Sequence, residues 1–266
     1  MIFSHTQIQQ YVSCPRKYRY LYLDGWQEKD NRASLLFGRA FETALAALFR
    51  REDPGAALYD AWAIHREAAL SYAPRENWGK LLEQGIRLLH RFVQDGRITV
   101  RNPATDLQLR VSRDLGRGHE FIAYLDAIAE LDGNTVVLDW KTTKTRYPEA
   151  PSGVLALDPQ LRCYSWLTGI EKVAIVAFVR KAEPEVQYVQ ARISPADWHE
   201  YEQTVSHVIE QVESGLFPAH SGIRFPHGVC TDCSCLGLCL ENEALTAMQL
   251  TRRPGAERAW LNELPF

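Results

Sequence analysis

Five strand-like runs, interrupted by one helical stretch and followed by another, predict an α/β fold with a central mixed β-sheet flanked by helices. An N-terminal helical region should precede this core and a cysteine-rich segment should follow it. Three observations carry the prediction. Val, Ile, Phe and Tyr concentrate between residues 107 and 193 in runs separated by turn residues. Helical periodicity dominates before residue 97. Finally, 46% hydrophobic and 24% charged residues over 266 positions suit one large domain with an appended element, and exclude collagen-like, mucin-like or largely disordered chains. The boundaries read as 1–105 (helical region), 106–215 (core), 216–250 (cysteine segment) and 251–266 (tail).

Ser4-His5-Thr6-Gln7 fits a capping box, which starts a first helix near Thr6. Pro15 should break it near Cys14. Arg16 to Tyr22 then alternates cations with aromatic rings, a pattern that suits a nucleic-acid surface or, equally, tyrosines packed inward beneath solvated cations. Residues 1–51 carry eight Lys or Arg against four Asp or Glu in a chain of net charge −3. This basic front end fits either a polyanion or a solvated helix face. Leu35 to about Arg51 reads as an amphipathic helix, and Ala56–Tyr72 and Asn77–Gly96 as two more, separated at Ala73-Pro74. The strands are Leu107–Leu115, Glu120–Leu131, Thr135–Thr143, Lys172–Lys181 and Glu185–Ile193. A helix over about Pro159–Leu167 separates the third from the fourth, and a long helix over about Pro195–Ser214 follows the fifth. Gly215, Pro218, Gly222, Pro226 and Gly228 open a loop into the cysteines. The longest apolar run, Val173–Val179, is far short of the about 18 residues that cross a bilayer. The N-terminus lacks the basic start and apolar stretch of a secretion signal, so a cytoplasmic location is expected. In that compartment the six cysteines are expected to be metal ligands or buried thiols.

Asp132-Gly133 marks a two-residue hairpin turn. If these two residues form the loop, Leu131 pairs with Asn134 and the register brings Asp126 opposite Asp139. Paired residues share a face of the sheet, and Lys141, two residues on, points the same way. Facing carboxylates repel, so the arrangement asks for a compensating cation. Mg²⁺ or Mn²⁺, which favour oxygen ligands, are the natural choice. A slip of one residue would separate the acids and leave an ordinary charged hairpin.

Val136-Val137-Leu138-Asp139-Trp140-Lys141, with Asp126 on the neighbouring strand, resembles the PD-(D/E)xK nuclease superfamily. Gln160-Leu161-Arg162-Cys163-Tyr164 resembles the Q-x-x-x-Y element of its RecB-like branch, and at four residues apart Gln160 and Tyr164 share a helix face. Gly38 to Glu42 occupies the place where the branch carries a Gly followed four residues later by His or an acid. Many four-cysteine members have His there, so Glu42 is a departure, though a carboxylate suits a hard cation. The resemblance implies a restriction-endonuclease-like core that hydrolyses DNA phosphodiesters. It also implies Mg²⁺ or Mn²⁺ on Glu42, Asp126, Asp139 and the Trp140 carbonyl, with Lys141 assisting attack and Gln160 and Tyr164 positioning the strand. Single-stranded DNA, or DNA with a free end, is the implied substrate, and exonuclease the implied mode.

Cys230, Cys233 and Cys239 form C-x₂-C-x₅-C, and Cys14 offers a fourth thiolate from the other end of the chain. By spacing, four thiolates satisfy either a [4Fe–4S] cluster or tetrahedral Zn²⁺. Tyr11-Val12-Ser13-Cys14-Pro15-Arg16-Lys17-Tyr18 is similar to the N-terminal signature of RecB-like nucleases with an iron–sulfur cluster, including CRISPR-associated exonucleases. The resemblance therefore implies [4Fe–4S], and partners in CRISPR adaptation or in repair and recombination. Cys235 offers an alternative ligand path and His227 a weaker one, whereas Cys163 reads as a small buried side chain. Two other readings are a DNA-binding clamp that has lost cleavage and a zinc-stabilised interaction module.

Overall fold

The structure, a computed structural model, describes residues 1–29, 31–151, 153–219 and 228–253. In chain order the elements are β1 (Ile2–Ser4), α1 (His5–Ser13), α2 (Pro15–Tyr18), a π-helical turn (Arg19–Leu23), β2 (Trp26–Glu28), α3 (Ala33–Phe49), α4 (Pro54–Ala63) and α5 (Trp78–Asp95). There follow β3 (Ile98–Thr99), α6 (Pro103–Asp106), β4 (Leu107–Gly116), β5 (His119–Leu131), β6 (Asn134–Thr143), a 3₁₀ turn (Val154–Leu157), α7 (Pro159–Thr168), β7 (Lys172–Val179) and β8 (Glu185–Arg192). The last are α8 (Pro195–Glu213), α9 (Gly228–Thr231), α10 (Leu236–Cys239), α11 (Glu243–Gln249) and β9 (Leu250–Arg252). Contacts divide the chain into two compact units, each discontinuous in sequence. The first comprises Met1–Ile2 with Asn31–Glu202, and the second Phe3–Asp30 with Gln203–Phe266.

The first unit is the α/β part. In its mixed sheet β5, β6, β7 and β8 lie side by side, β3 and β4 also pair with β5, and β1 supplies the seventh strand. β5 and β6 are antiparallel, β6 and β7 parallel, and β7 and β8 antiparallel. The parallel step needs a crossover, and α7 provides it. The hairpin turn is as predicted. Leu131 pairs with Asn134, and Asp132 (φ 51°) and Gly133 (φ 77°) both have the positive φ that a two-residue type I′ turn requires.

One sheet face carries Leu138, Trp140, Ala174, Val176 and Phe178 and packs into a core with Phe37, Phe41, Leu58, Trp62, Leu88 and Phe92 from α3, α4 and α5. Phe41, Phe92 and Trp140 surround Phe178 in edge or tilted contacts. Gly85 of α5 permits the close approach of its neighbours, because a Cβ there would lie 2.7 Å from Leu58 and 2.9 Å from Phe37.

The helix expected over Ala56–Tyr72 is shorter than predicted, ending at Ala63. Tertiary bonds end it. The indoles of Trp62 and Trp78 donate reciprocally to each other's backbone carbonyls at 3.1 and 3.0 Å, which satisfies a carbonyl at the helix end. The chain then turns back. Ser71 donates its N–H to Asn31 O at 2.7 Å and accepts from Ala33 N–H at 3.0 Å.

In the second unit Ser4 caps α1 by accepting the Gln7 N–H, and Cys14 is extended where Pro15 starts α2. Thr251 and Arg252, which the sequence reading leaves in a tail, instead pair with Gln27 and Trp26. Residues 254–266 lie outside the described residues, as does His227. No helix among the described residues is long and apolar enough to cross a membrane.

Gly85→Ala is expected to cost about 1–3 kcal/mol by forcing Leu58 or Phe37 off its packing position. A melting temperature unchanged from wild type would show that the α4–α5 contact is looser than described.

Candidate active site

The β5–β6 ladder runs from Leu131↔Asn134 to Ala127↔Leu138, and there the two strands part. At the next step Asp126 Oδ2 accepts the Trp140 N–H at 2.7 Å, so a carboxylate takes a backbone donor where a carbonyl would otherwise serve. On its other side, Asp126 lies between the pairs Leu107↔Ala127 and Leu109↔Leu125, opposite Gln108, whose φ of 50° is unusual for a non-glycine residue. Glu42, Ala46, Leu107, Gln108, Asp126 and Trp140 line a pocket at this irregularity.

Alternation along β6 separates the roles of its side chains. Trp140 anchors the strand, with its ring stacked on Phe49 and edge-on to Phe92. Its neighbours Asp139 and Lys141 meet each other, Lys141 Nζ lying 2.7 Å from Asp139 Oδ2. Asp139 is only 1% exposed, and beyond this ion contact neither of its oxygens has a hydrogen-bond partner among the described residues.

Lys141 is braced from α7. Asp158 caps that helix, accepting the N–H groups of Gln160 and Leu161 at 2.8 and 3.1 Å. Gln160 Oε1 then accepts from Lys141 Nζ at 3.0 Å, and Gln160 Nε2 donates to the Tyr164 hydroxyl at 2.6 Å. Tyr164 in turn donates to Tyr124 O at 3.2 Å on β5. The Q-x-x-x-Y spacing therefore does something sequence reading missed, tying the lysine of β6 to the backbone of β5. Asp158, Tyr124 and Gln108 were missed as well. Asp158-Pro159 was nonetheless visible as a helix cap followed by a proline at the first helical position.

Glu42 comes from α3. Gly38, one turn earlier, lets the helix lie close to β6, because a Cβ there would sit 3.3 Å from Thr142 Oγ1. Glu42 and Asp139 sense each other electrostatically, as do Glu42 and Asp126.

Burial pushes Asp126 up to about 6, with the Trp140 N–H opposing and Glu42 adding. Burial likewise pushes Asp139 up to about 7, with Lys141 opposing and Asp126 adding. Glu42 is raised by burial and by Asp139. For Lys141 burial disfavours the charge, but the ion contact with Asp139 outweighs it and the ammonium is held above its ordinary range. Three acids therefore crowd around one ammonium. Carboxylate oxygens, those of Asp139 buried and without a hydrogen-bond partner, are the hard donors a divalent cation takes, so the donor chemistry of the three acids suits one. Even so, among the described residues no three His, Cys, Asp or Glu side chains close to metal-holding distance.

Cys14, Cys230, Cys233, Cys235 and Cys239 lie in the second unit, and all six cysteines are free thiols. Cys14 Sγ caps α2 by accepting the Lys17 N–H at 3.4 Å. The Cys230 thiol is raised by burial and by Cys233, Cys14 and Cys239, so Cys230 lies within electrostatic reach of the other three predicted thiols. Cys235 is fully buried, and its hydrogen bond to Cys233 lowers the Cys233 thiol to about 6, with Lys17 assisting. The basic and aromatic stretch largely serves this unit. Tyr18 is buried against Tyr11 and Phe217, and Lys17 pairs with Glu28 at 2.7 Å. The inward-packing alternative therefore describes Tyr18. In the first unit Cys163 is buried, which pushes its thiol up to about 12, and it is bonded to Tyr201, as befits an inert side chain.

A carboxyl whose pKa rises on folding contributes stability that is complete below its unfolded value and is lost as pH climbs through the folded one. For Asp126 that window runs from 3.8 to about 6. In protein stripped of divalent cations, stability is expected to fall across it by on the order of 3 kcal/mol from this group. Asp126→Asn, which keeps an acceptor for the Trp140 N–H, should flatten that part of the melting-temperature profile. Parallel wild-type and variant profiles would mean that Asp126 titrates normally.

The sequence was also compared with known proteins. Residues 2–240 match the family model of the PD-(D/E)XK nuclease superfamily. Among solved structures, a Eubacterium rectale protein described as a candidate exonuclease superposes with a TM-score of 0.55 at 12% identity, over 84% of this chain and 86% of its own. SSO0001 gives 0.37 at 15% identity over 79% and 75% of the two chains. LHK-Exo in complex with dAMP gives 0.34 at 12% identity over 68% and 93%. No curated protein matches the sequence significantly. With its mixed sheet, parted hairpin and family match over nearly the whole length, the chain belongs to the PD-(D/E)XK nuclease superfamily.

Proposed function

We propose that the protein is a RecB-like, metal-dependent deoxyribonuclease that hydrolyses phosphodiester bonds as a single-stranded DNA exonuclease. The observation that carries this is the buried Asp139–Lys141 contact, braced by Gln160 beside Asp126. Glu42, Asp126, Asp139 and the Trp140 carbonyl would hold Mg²⁺ or Mn²⁺. When bound, such a cation polarises the phosphate and lowers the pKa of its water.

The chain's own residues do the rest. Lys141 has three N–H donors and commits two, to Asp139 and Gln160, which leaves one to stabilise charge developing on the phosphate. Gln160 and Tyr164 hold the ammonium on that line, acting on the substrate through Lys141. Burial raises Asp126 and Asp139 above their ordinary range, so a bound cation would favour their ionised forms.

The second unit would carry a [4Fe–4S] cluster on Cys14, Cys230, Cys233 and Cys239, with Cys235 left as a buried neighbour. Its support is the similarity around Cys14 together with the electrostatic reach of Cys230 to the other three thiols. The biological setting would be CRISPR adaptation or DNA repair and recombination, which gene neighbourhood distinguishes.

The test is anaerobic purification followed by incubation with end-labelled single- and double-stranded DNA and Mg²⁺ or Mn²⁺. Asp139→Ala and Lys141→Ala should each lower cleavage by about a thousandfold or more. Gln160→Ala, which spares the acids, should lower it by about ten- to a hundredfold. Wild-type protein inert with both metals on both substrates would defeat the enzyme reading. For the cluster, visible absorption that disappears with Cys14→Ala is expected. Colourless protein with stoichiometric zinc would replace iron–sulfur by zinc and leave the nuclease reading standing.

A further inference from the structure

Beyond β6 the chain runs through residues 144–151, an exposed stretch in which Tyr147 is the half-buried member. Its backbone is clamped from β8. Gln187, 4% exposed, accepts the Tyr147 N–H on Oε1 at 2.9 Å, and its Nε2 donates to Tyr147 O at 2.9 Å and to Glu149 Oε1 at 2.5 Å. A buried amide thus spends three of its four hydrogen-bonding positions on one loop, an ordering that a mere connection between elements does not need. The clamp sets the ring within electrostatic reach of Lys141, Asp139 and Asp158.

The two tyrosines beside the lysine differ in one respect. Tyr164 has its hydroxyl committed twice, accepting from Gln160 and donating to Tyr124 O. The Tyr147 hydroxyl has no hydrogen-bond partner among the described residues. Burial and the nearby carboxylates raise its pKa, which keeps it a neutral donor. A neutral donor can face an anion here without bringing a further charge into the site.

Resting on the nuclease reading, we propose that Tyr147 is a substrate-binding residue whose hydroxyl donates a hydrogen bond to a non-bridging oxygen of the DNA phosphate that Lys141 faces. Two donors, one charged and one neutral, then orient that phosphate from β6 and from the clamped segment after it. Sequence reading had no means of finding this residue, because what marks Tyr147 is a glutamine 40 positions away.

Tyr147→Phe removes the hydroxyl alone and Tyr147→Ala removes the ring as well. The full chain, purified anaerobically, would be assayed for kcat and KM on end-labelled single-stranded DNA with Mg²⁺, for oligonucleotide binding by fluorescence anisotropy with Ca²⁺, and for melting temperature. Tyr147→Phe should keep the wild-type melting temperature, lower kcat/KM by about ten- to a hundredfold and weaken oligonucleotide binding, with Tyr147→Ala little worse. Wild-type cleavage and binding by Tyr147→Phe would overturn the proposal. So would a loss confined to Tyr147→Ala, which would assign the effect to the ring. If wild-type protein binds DNA but does not cleave it, the nuclease reading fails by itself, and weakened binding by Tyr147→Phe still decides for the contact, unchanged binding against it.

Discussion

The arrangement of the first unit turns on one ion contact, that between the half-buried Lys141 and the buried Asp139. Charges taken out of water are costly, and a buried pair is favourable only when its remaining donors and acceptors are met. Here they are met on one side only. The ammonium has Gln160, which is held by Tyr164 and through it by the backbone of β5. The carboxylate has no further hydrogen-bond partner among the described residues. Burial lifts all three acids, and their nearness to one another adds to it while Lys141 opposes it.

The scaffold around this contact is stiff. Trp140 sits between the two charged residues with its ring locked among Phe49, Phe92 and Phe178, so Asp139 and Lys141 are positioned by the hydrophobic core on the far side of their own strand. The parting of β5 from β6 turns a hairpin into a site. It frees the Trp140 N–H for a carboxylate and sets Asp126 against Gln108, where the neighbouring strand bends through a positive φ. Close approach of α3 at Gly38 brings Glu42 to the same place.

In the second unit, Cys14 ends one helix and caps the next, and its neighbours Lys17 and Tyr18 turn to Glu28 and to the aromatic rings of Tyr11 and Phe217. A stretch whose alternation of cations and rings fits a nucleic-acid surface thus spends its middle residues on internal contacts. Alternation alone does not separate these outcomes, because both need a cation facing outward and a ring close by.

The hairpin turn was legible because Asp132-Gly133 fixes pairing by arithmetic, and the predicted register holds from Leu131↔Asn134 to Ala127↔Leu138; the expected facing of Asp126 and Asp139 falls one step beyond, where the strands part and Asp126 takes the Trp140 N–H instead. The strands and α7 were legible from composition and local periodicity. The end of α4 was not, since it depends on Trp62 meeting Trp78 across a turn. Nor were β2 and β9, three-residue strands from opposite ends of the chain whose pairing no local pattern announces. By itself the sequence determined which side chains share a strand or a helix face, because those relations repeat every two or four residues. Only the tertiary structure decided that Gln160 serves Lys141, that Gln187 holds Tyr147 and that the acids lie buried together. Such contacts join residues far apart in the chain, and their energies come from burial, which exists only once the elements have packed.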